Sequence, residues 1–260
     1  MWWKLYFLEY KRLIKNKYLL FFLFSFYLFY LLILLNITNL MSKLDMFVNS
    51  NLYIIDYLKF PLCFSSAAWI ASYFVPLWII FLLIFLSYDK EKIANYPFSY
   101  RKKFFIPRLS FAFTIPFDWS LTTLLAGFIM WIRWGSIDIE QNFILILGLW
   151  IQLIAYVSFA LLLISLFGSA LKSVLAFFSY FVLEAIVRKL LFSFGSTIGF
   201  YLPAKVITSL VLPPAVDFVP VERYADFFSQ HSLPFGINLL LACLYSIIFL
   251  LFFKYKTLKL

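Results

Sequence analysis

"YLLFFLFSFYLFYLLILLNITNLMS", residues 18–42, runs for 25 positions without a charged side chain. A helix rises about 1.5 Å per residue and a bilayer core is about 30 Å thick, so a span needs about 20 apolar residues. In lipid each backbone N–H and C=O must be bonded within its own segment, which leaves an α-helix as the solution here. The run therefore predicts a first membrane span over about 18–40. It exceeds the roughly 7–15-residue apolar core of a secretory signal, and no small-residue cleavage site follows it, so no cleaved signal peptide is expected.

The same logic extends outward. Of 260 residues, 65% are hydrophobic and 13% charged, and 35 are Phe. An average soluble domain is about 25% charged. With a mean hydropathy of +0.95, the chain has too much apolar surface for a soluble core of its size. Further charge-poor runs predict spans over about 66–86, 110–132, 143–166, 171–187 and 235–253. The expected fold is an all-α polytopic membrane protein forming a single transmembrane domain over 1–260. It has six transmembrane helices, an N-terminal interfacial amphipathic helix and a re-entrant helical segment before the last span.

The formal net charge is +10. The basic residues cluster at the ends of apolar runs rather than in a separate basic domain, which argues against nucleic acid as partner and for topology signals. Six spans put both termini on one side. Of the 22 basic residues, 15 fall on that side, including Lys4, Lys11, Arg12, Lys15 and Lys17. The positive-inside rule then makes both termini cytoplasmic, with the chain multi-pass in the cell membrane. Cys63 and Cys243 are 180 positions apart in or beside apolar runs, which suggests buried thiols rather than a disulfide.

On a helical wheel, residues 1–17, "MWWKLYFLEYKRLIKNK", gather Trp2, Trp3, Tyr6, Phe7, Tyr10, Leu13 and Ile14 on one face, opposite most of the charge. This predicts a helix in the headgroup plane, with lysines toward anionic lipid; the plainer alternative is a cytoplasmic extension of span one. Residues 188–234 join spans five and six. They are markedly apolar yet broken by Gly195, Gly199, Pro203, Pro213, Pro214 and Pro220. Two short apolar pieces between breakers suggest an extracellular re-entrant pair of helices, against the alternative of an interfacial loop.

Motifs for chemistry are sparse. There is no G-x-x-x-x-G-K-[ST] phosphate cradle, so ATP binding by a P-loop is not expected; no catalytic residue, bound cofactor or metal is expected on this chain either. Asp118 follows "TIP". Either it lines a cavity or contacts a helix within span three, or the span begins near Trp119 and Asp118 lies among headgroups. Glu184 and Arg188 spell E-x-x-x-R, and Phe227 and His231 spell F-x-x-x-H. Both patterns resemble intramembrane CAAX-type proteases. Those proteins use a doubled glutamate and a second histidine, whereas position 183 is Leu and His231 is the single histidine. The plain reading of Glu184 and Arg188 is an i, i+4 ion pair at a helix end; the functional one is a polar pair lining a cavity or contacting another helix. Gly195 to Gly199, "GSTIG", matches G-x-x-x-G, a weak signal for close helix contact in so irregular a stretch.

The densest charge lies in 87–109, a cytoplasmic loop containing "YDKEKIANYPFSYRKK". Together with the amphipathic entry to span one and the broken apolar segment before span six, it resembles the ABC type-2 permease family over essentially the full chain. The loop resembles that family's pattern of an acid, a short spacer, Pro, Ser and basic residues. Ile93-Ala94 stands where Gly-Thr is common, and Tyr100 separates Ser99 from Arg101. The resemblance implies a non-catalytic permease subunit of an exporter. It also implies two copies of a separate ABC ATPase that binds ATP and Mg, and a second copy of this permease or a homologous one. The loop would couple to the ATPase through Asp89, Glu91, Tyr96, Pro97, Phe98, Tyr100, Arg101 and Lys102. The plainer reading of this loop is solvated, topology-setting charge. A charge-poor, aromatic path suits an amphipathic or hydrophobic cargo, such as an antimicrobial or cytolytic peptide, a lipid or a drug. The alternatives are a protease-like intramembrane enzyme and a secondary transporter.

Overall fold

The computed structural model describes residues 139–211 and 233–259, together with isolated helical positions at 7, 11, 28, 32, 79, 80, 83, 128 and 132. Apart from those positions, the N-terminal interfacial helix and the first three spans lie outside the described residues, as do the 87–109 loop, Asp118 and His231. The regular structure that is described is all helical. It comprises α1 (Ile139–Phe167), α2 (Ala170–Ser193), a 3-10 turn (Thr197–Tyr201), α3 (Pro203–Thr208) and α4 (Phe235–Lys259). Three stretches are long and apolar enough to cross a membrane: Ile146–Phe167, Ala170–Ser193 and Phe235–Lys256. A 22-residue helix is about 33 Å long, enough for a bilayer core.

A two-residue corner joins α1 to α2. Gly168 adopts φ 73°, open to glycine without a Cβ penalty, and closes α1 by donating to the Ile164 carbonyl at 3.0 Å. Ser169 then caps α2, its hydroxyl accepting from the Lys172 N–H at 3.3 Å. Ser173, one turn in, donates to the Ser169 carbonyl at 2.8 Å. So short a corner forces the two helices to pack as antiparallel neighbours.

Helix α1 is the centre of the described bundle. It packs against both α2 and α4, more extensively against α4. Accordingly 72% of its apolar window is buried, against 17% for α2 and for α4. Leu149, Leu153, Ala155, Val157, Ala160 and Leu161 are fully buried along it. An aromatic cluster bonds the three helices: the Phe159 ring centroid lies 5.7 Å from Phe177, 4.9 Å from Tyr180 and 5.0 Å from Phe249. Offset and tilted ring pairs of this kind contribute about 0.5–1.5 kcal/mol each beyond their buried area. Serine hydroxyls inside the helices are satisfied locally. Ser158 donates to Ile154 and Ser246 to Ala242, both at 2.7 Å, which removes a polar group that lipid could not solvate.

Helix α2 continues through Arg188 and Lys189 and stops at a glycine rather than at its charges. Gly195 has φ 71°, its N–H bonds the Phe192 carbonyl at 3.0 Å, and the Ser196 N–H bonds Leu191 at 2.9 Å. This is a Schellman stop. "GSTIG" is therefore not a helix-pairing stripe: its first glycine ends a helix and its second sits in the 3-10 turn.

The chain after α2 then turns back. Short helix α3 packs on α4 and α1, with Val206, Leu210 and Ala242 buried together beside Ile151, Phe235 and Leu239. Gly148 of α1 permits this seat. A Cβ there would overlap the Leu210 carbonyl oxygen, which is backbone and cannot swing aside, and would lie 3.3 Å from the Phe235 ring. Gly148→Ala is therefore expected to destabilise the fold by about 1–3 kcal/mol, the usual cost of overpacking, despite alanine's better helix propensity. Thermal unfolding in detergent checks this; an unchanged or raised Tm would contradict the close approach.

Candidate functional site

The most distinctive polar feature of the described region is a carboxylate placed between helices. Glu184 lies on α2 and is 7% exposed. Its Oε2 accepts from the Ala204 N–H and its Oε1 from the Lys205 N–H, each at 2.8 Å. The sequence of α3 explains why. Its N-cap position is Leu202, which has no side-chain oxygen to offer, and its first residue, Pro203, has no N–H. The next two N–H groups are the orphan donors at the start of any helix. A carboxylate twenty residues upstream in the chain takes both of them. Its negative charge also lies at the positive end of the α3 dipole. A helix of only six residues is not stable alone in water, so this remote cap and the apolar seat together define α3.

Three tyrosines surround the carboxylate. Tyr180, one turn before it on α2, hydrogen-bonds to it, while Tyr156 of α1 and Tyr245 of α4 are near enough to feel its charge. The Tyr245 hydroxyl itself donates to the Tyr201 carbonyl at 2.6 Å, tying α4 to the 3-10 turn. The Phe192 and Phe200 rings, 4.8 Å apart, hold the other side of that turn to α2. Thus the segment over 194–211 is fastened to α2 by Glu184 and Phe192, and to α4 by Tyr245. Glu184 is nine residues before the end of α2, so the chain has come back along that helix by about 14 Å when α3 begins.

The two residues of the E-x-x-x-R pair have different settings. Glu184 makes its hydrogen bonds to the backbone of α3, not to the guanidinium one turn along. Arg188 is half-buried, and its methylene stem covers Gly199, where a Cβ would stand 3.2 Å from Arg188 Cγ. Half-buried Lys205 is held near Arg188; burial first, and the Arg188 charge second, push its ammonium below the usual lysine range. Asp118 and the loop residues Asp89, Glu91, Tyr96, Pro97, Phe98, Tyr100, Arg101 and Lys102 lie outside the described residues.

A carboxylate with both oxygens engaged in this way orders backbone. Two further buried polar atoms, Trp150 Nε1 and Gln152 Oε1 of α1, have no hydrogen-bond partner among the described residues. Sequence reading missed the roles of Tyr180, Tyr245 and Gly148. One signal for the Glu184 contact was available: a Pro-initiated helix preceded by Leu needs an acceptor from elsewhere, and Glu184 is the one acid in 141–216.

Comparison with protein-family models, with curated proteins and with solved structures gave no match.

Proposed function

We propose that this chain is the transmembrane permease subunit of an ATP-driven exporter of the ABC type-2 kind. In this reading it crosses the cytoplasmic membrane six times, with both termini inside, and works with a second permease and two ATPase subunits. The observation that carries the reading is the segment between α2 and α4. Its described part leaves one candidate span, returns along it for about 14 Å, and is fastened to that span by Glu184 and Phe192 and to the last span by Tyr245. A broken apolar segment held at depth before the last span is the layout expected of that family. Irregular backbone is tolerated at such depth where protein buries it, and here its terminal N–H groups have partners. The engagement of Glu184 also favours this reading over a protease-like one, which would need the carboxylate free to activate water.

On this account ATP binding closes the paired ATPases, and the loop over 87–109 passes the motion to the spans. The cargo is amphipathic or hydrophobic: a peptide, a lipid or a drug. Reconstitution tests the reading. Vesicles holding the chain and its ATPase should move a fluorescent amphipathic peptide only with hydrolysable ATP. The chain alone should neither hydrolyse ATP nor bind it at micromolar concentration. Transport driven by an ion gradient without ATP would instead indicate a secondary transporter.

A further inference from the structure

Among the described residues, the seam between α2 and α3 brings cations together without a carboxylate that pairs with them. The Glu184 Oε1 bond to the Lys205 N–H fixes Lys205 beside α2. Arg188 lies one turn beyond Glu184 on that helix, its stem resting on Gly199. Exposed Lys189 follows it. The one acid at the seam, Glu184, has both oxygens turned to backbone N–H groups, and among the described residues neither Arg188 nor Lys205 has an ion-pair partner. Two half-buried like charges held this way repel each other and are partly stripped of water, a cost that a shared anion would remove.

We propose that Arg188 and Lys205 form a binding site for a phosphate group, presented by the headgroup of an anionic phospholipid. A planar guanidinium fork beside a compact ammonium suits a phosphate's several oxygens. Basic pockets between transmembrane helices bind headgroups in this manner. The surroundings favour a lipid over a soluble ion, because exposed Ile198 and Tyr201 belong to the same 3-10 turn as Gly199, on which the Arg188 stem rests, and offer acyl chains a surface. Burial of the Lys205 ammonium, with the Arg188 charge beside it, lowers its hold on a proton; a bound phosphate would restore it. This site does not depend on the transport reading: a lipid clamp at the returning segment would serve any membrane protein of this shape.

The test uses the full chain in nonionic detergent, titrated with phosphatidylglycerol, with diacylglycerol of the same acyl chains and with inorganic phosphate. Native mass spectrometry counts bound lipid. Phosphatidylglycerol is expected to bind at least about tenfold more tightly than diacylglycerol, and Arg188→Gln and Lys205→Gln each to lose about tenfold, the scale of one charge-assisted contact. Lys172→Gln, exposed at the opposite end of α2, should change nothing. Arg188→Lys and Lys205→Arg should retain binding, which separates lost charge from lost fold. Displacement of the lipid by millimolar phosphate, abolished in both glutamine variants, would support the same site with a soluble anion as a second occupant. Equal affinity for diacylglycerol, or unchanged phosphatidylglycerol binding in both glutamine variants, would overturn the proposal.

Discussion

Glu184→Ala is expected to release α3 from α2. The substitution leaves the Ala204 and Lys205 N–H groups without acceptors at a helix start that has no cap of its own. Hydrogen bonds to a charged group contribute about 1.5–3 kcal/mol each, and a buried donor left unpaired costs about 1–3 kcal/mol. A local loss of about 3 kcal/mol or more follows, which is a factor of roughly one hundred in the opening equilibrium. Amide hydrogen exchange in nanodiscs reads this directly: Ala204 and Lys205 should exchange about a hundredfold faster, while Leu153 and Ala160 in α1 keep their protection. Glu184→Gln should fall between, because its amide nitrogen sets a donor against one of the two N–H groups. Transport should fail in Glu184→Ala if the seated segment belongs to the working permease. Unchanged exchange at Ala204 and Lys205 would mean that the apolar seat alone holds α3.

The second large effect concerns the cytoplasmic loop. If residues 89–103 dock on an ATPase, their aromatic side chains should matter more than their charge. Exposed ion pairs contribute about 0–1 kcal/mol, whereas an aromatic anchor buried at an interface contributes about 2 kcal/mol or more. Phe98→Ala or Tyr100→Ala is therefore expected to weaken ATPase association about thirtyfold or to uncouple hydrolysis from export. Lys102→Gln should be milder, and all three should insert normally. Pull-down and transport at equal membrane expression distinguish the outcomes. Wild-type behaviour of both aromatic variants with failure of Lys102→Gln would replace docking by electrostatics. No effect in any of them would leave the loop as topology-setting charge.

The long helices were legible because lipid leaves few options. A charge-free run long enough to cross the bilayer has to bond its own backbone, and the runs at 143–166, 171–187 and 235–253 lie within the longer helices α1, α2 and α4. Helix ends were less legible. Arg188 and Lys189 mark a polarity boundary, but backbone geometry ends a helix, and here Gly195 does so. Between Gly195 and 211 the described residues hold a 3-10 turn and a short helix, and the rest of the expected re-entrant segment, 212–232, lies outside them. Their fastening was hidden, because the partners stand far apart in sequence: Glu184 with Ala204, Tyr201 with Tyr245, Gly148 with Leu210. An i, i+4 rule nominates Arg188 for Glu184 because it is the neighbour a helix supplies. Two helix-starting N–H groups compete better, since they bring two short bonds and a favourable dipole without long side chains to immobilise.

The most direct test of the central claim is isolation of the chain from its native membrane by a C-terminal affinity tag, in mild detergent, followed by assay of the eluate for ATP hydrolysis. The account predicts a co-eluting ATPase that carries a phosphate-binding glycine loop, two per pair of permease chains. It also predicts activity that disappears when Phe98→Ala and Tyr100→Ala are combined. Elution of the tagged chain without an ATPase, from membranes in which it supports transport, would contradict it.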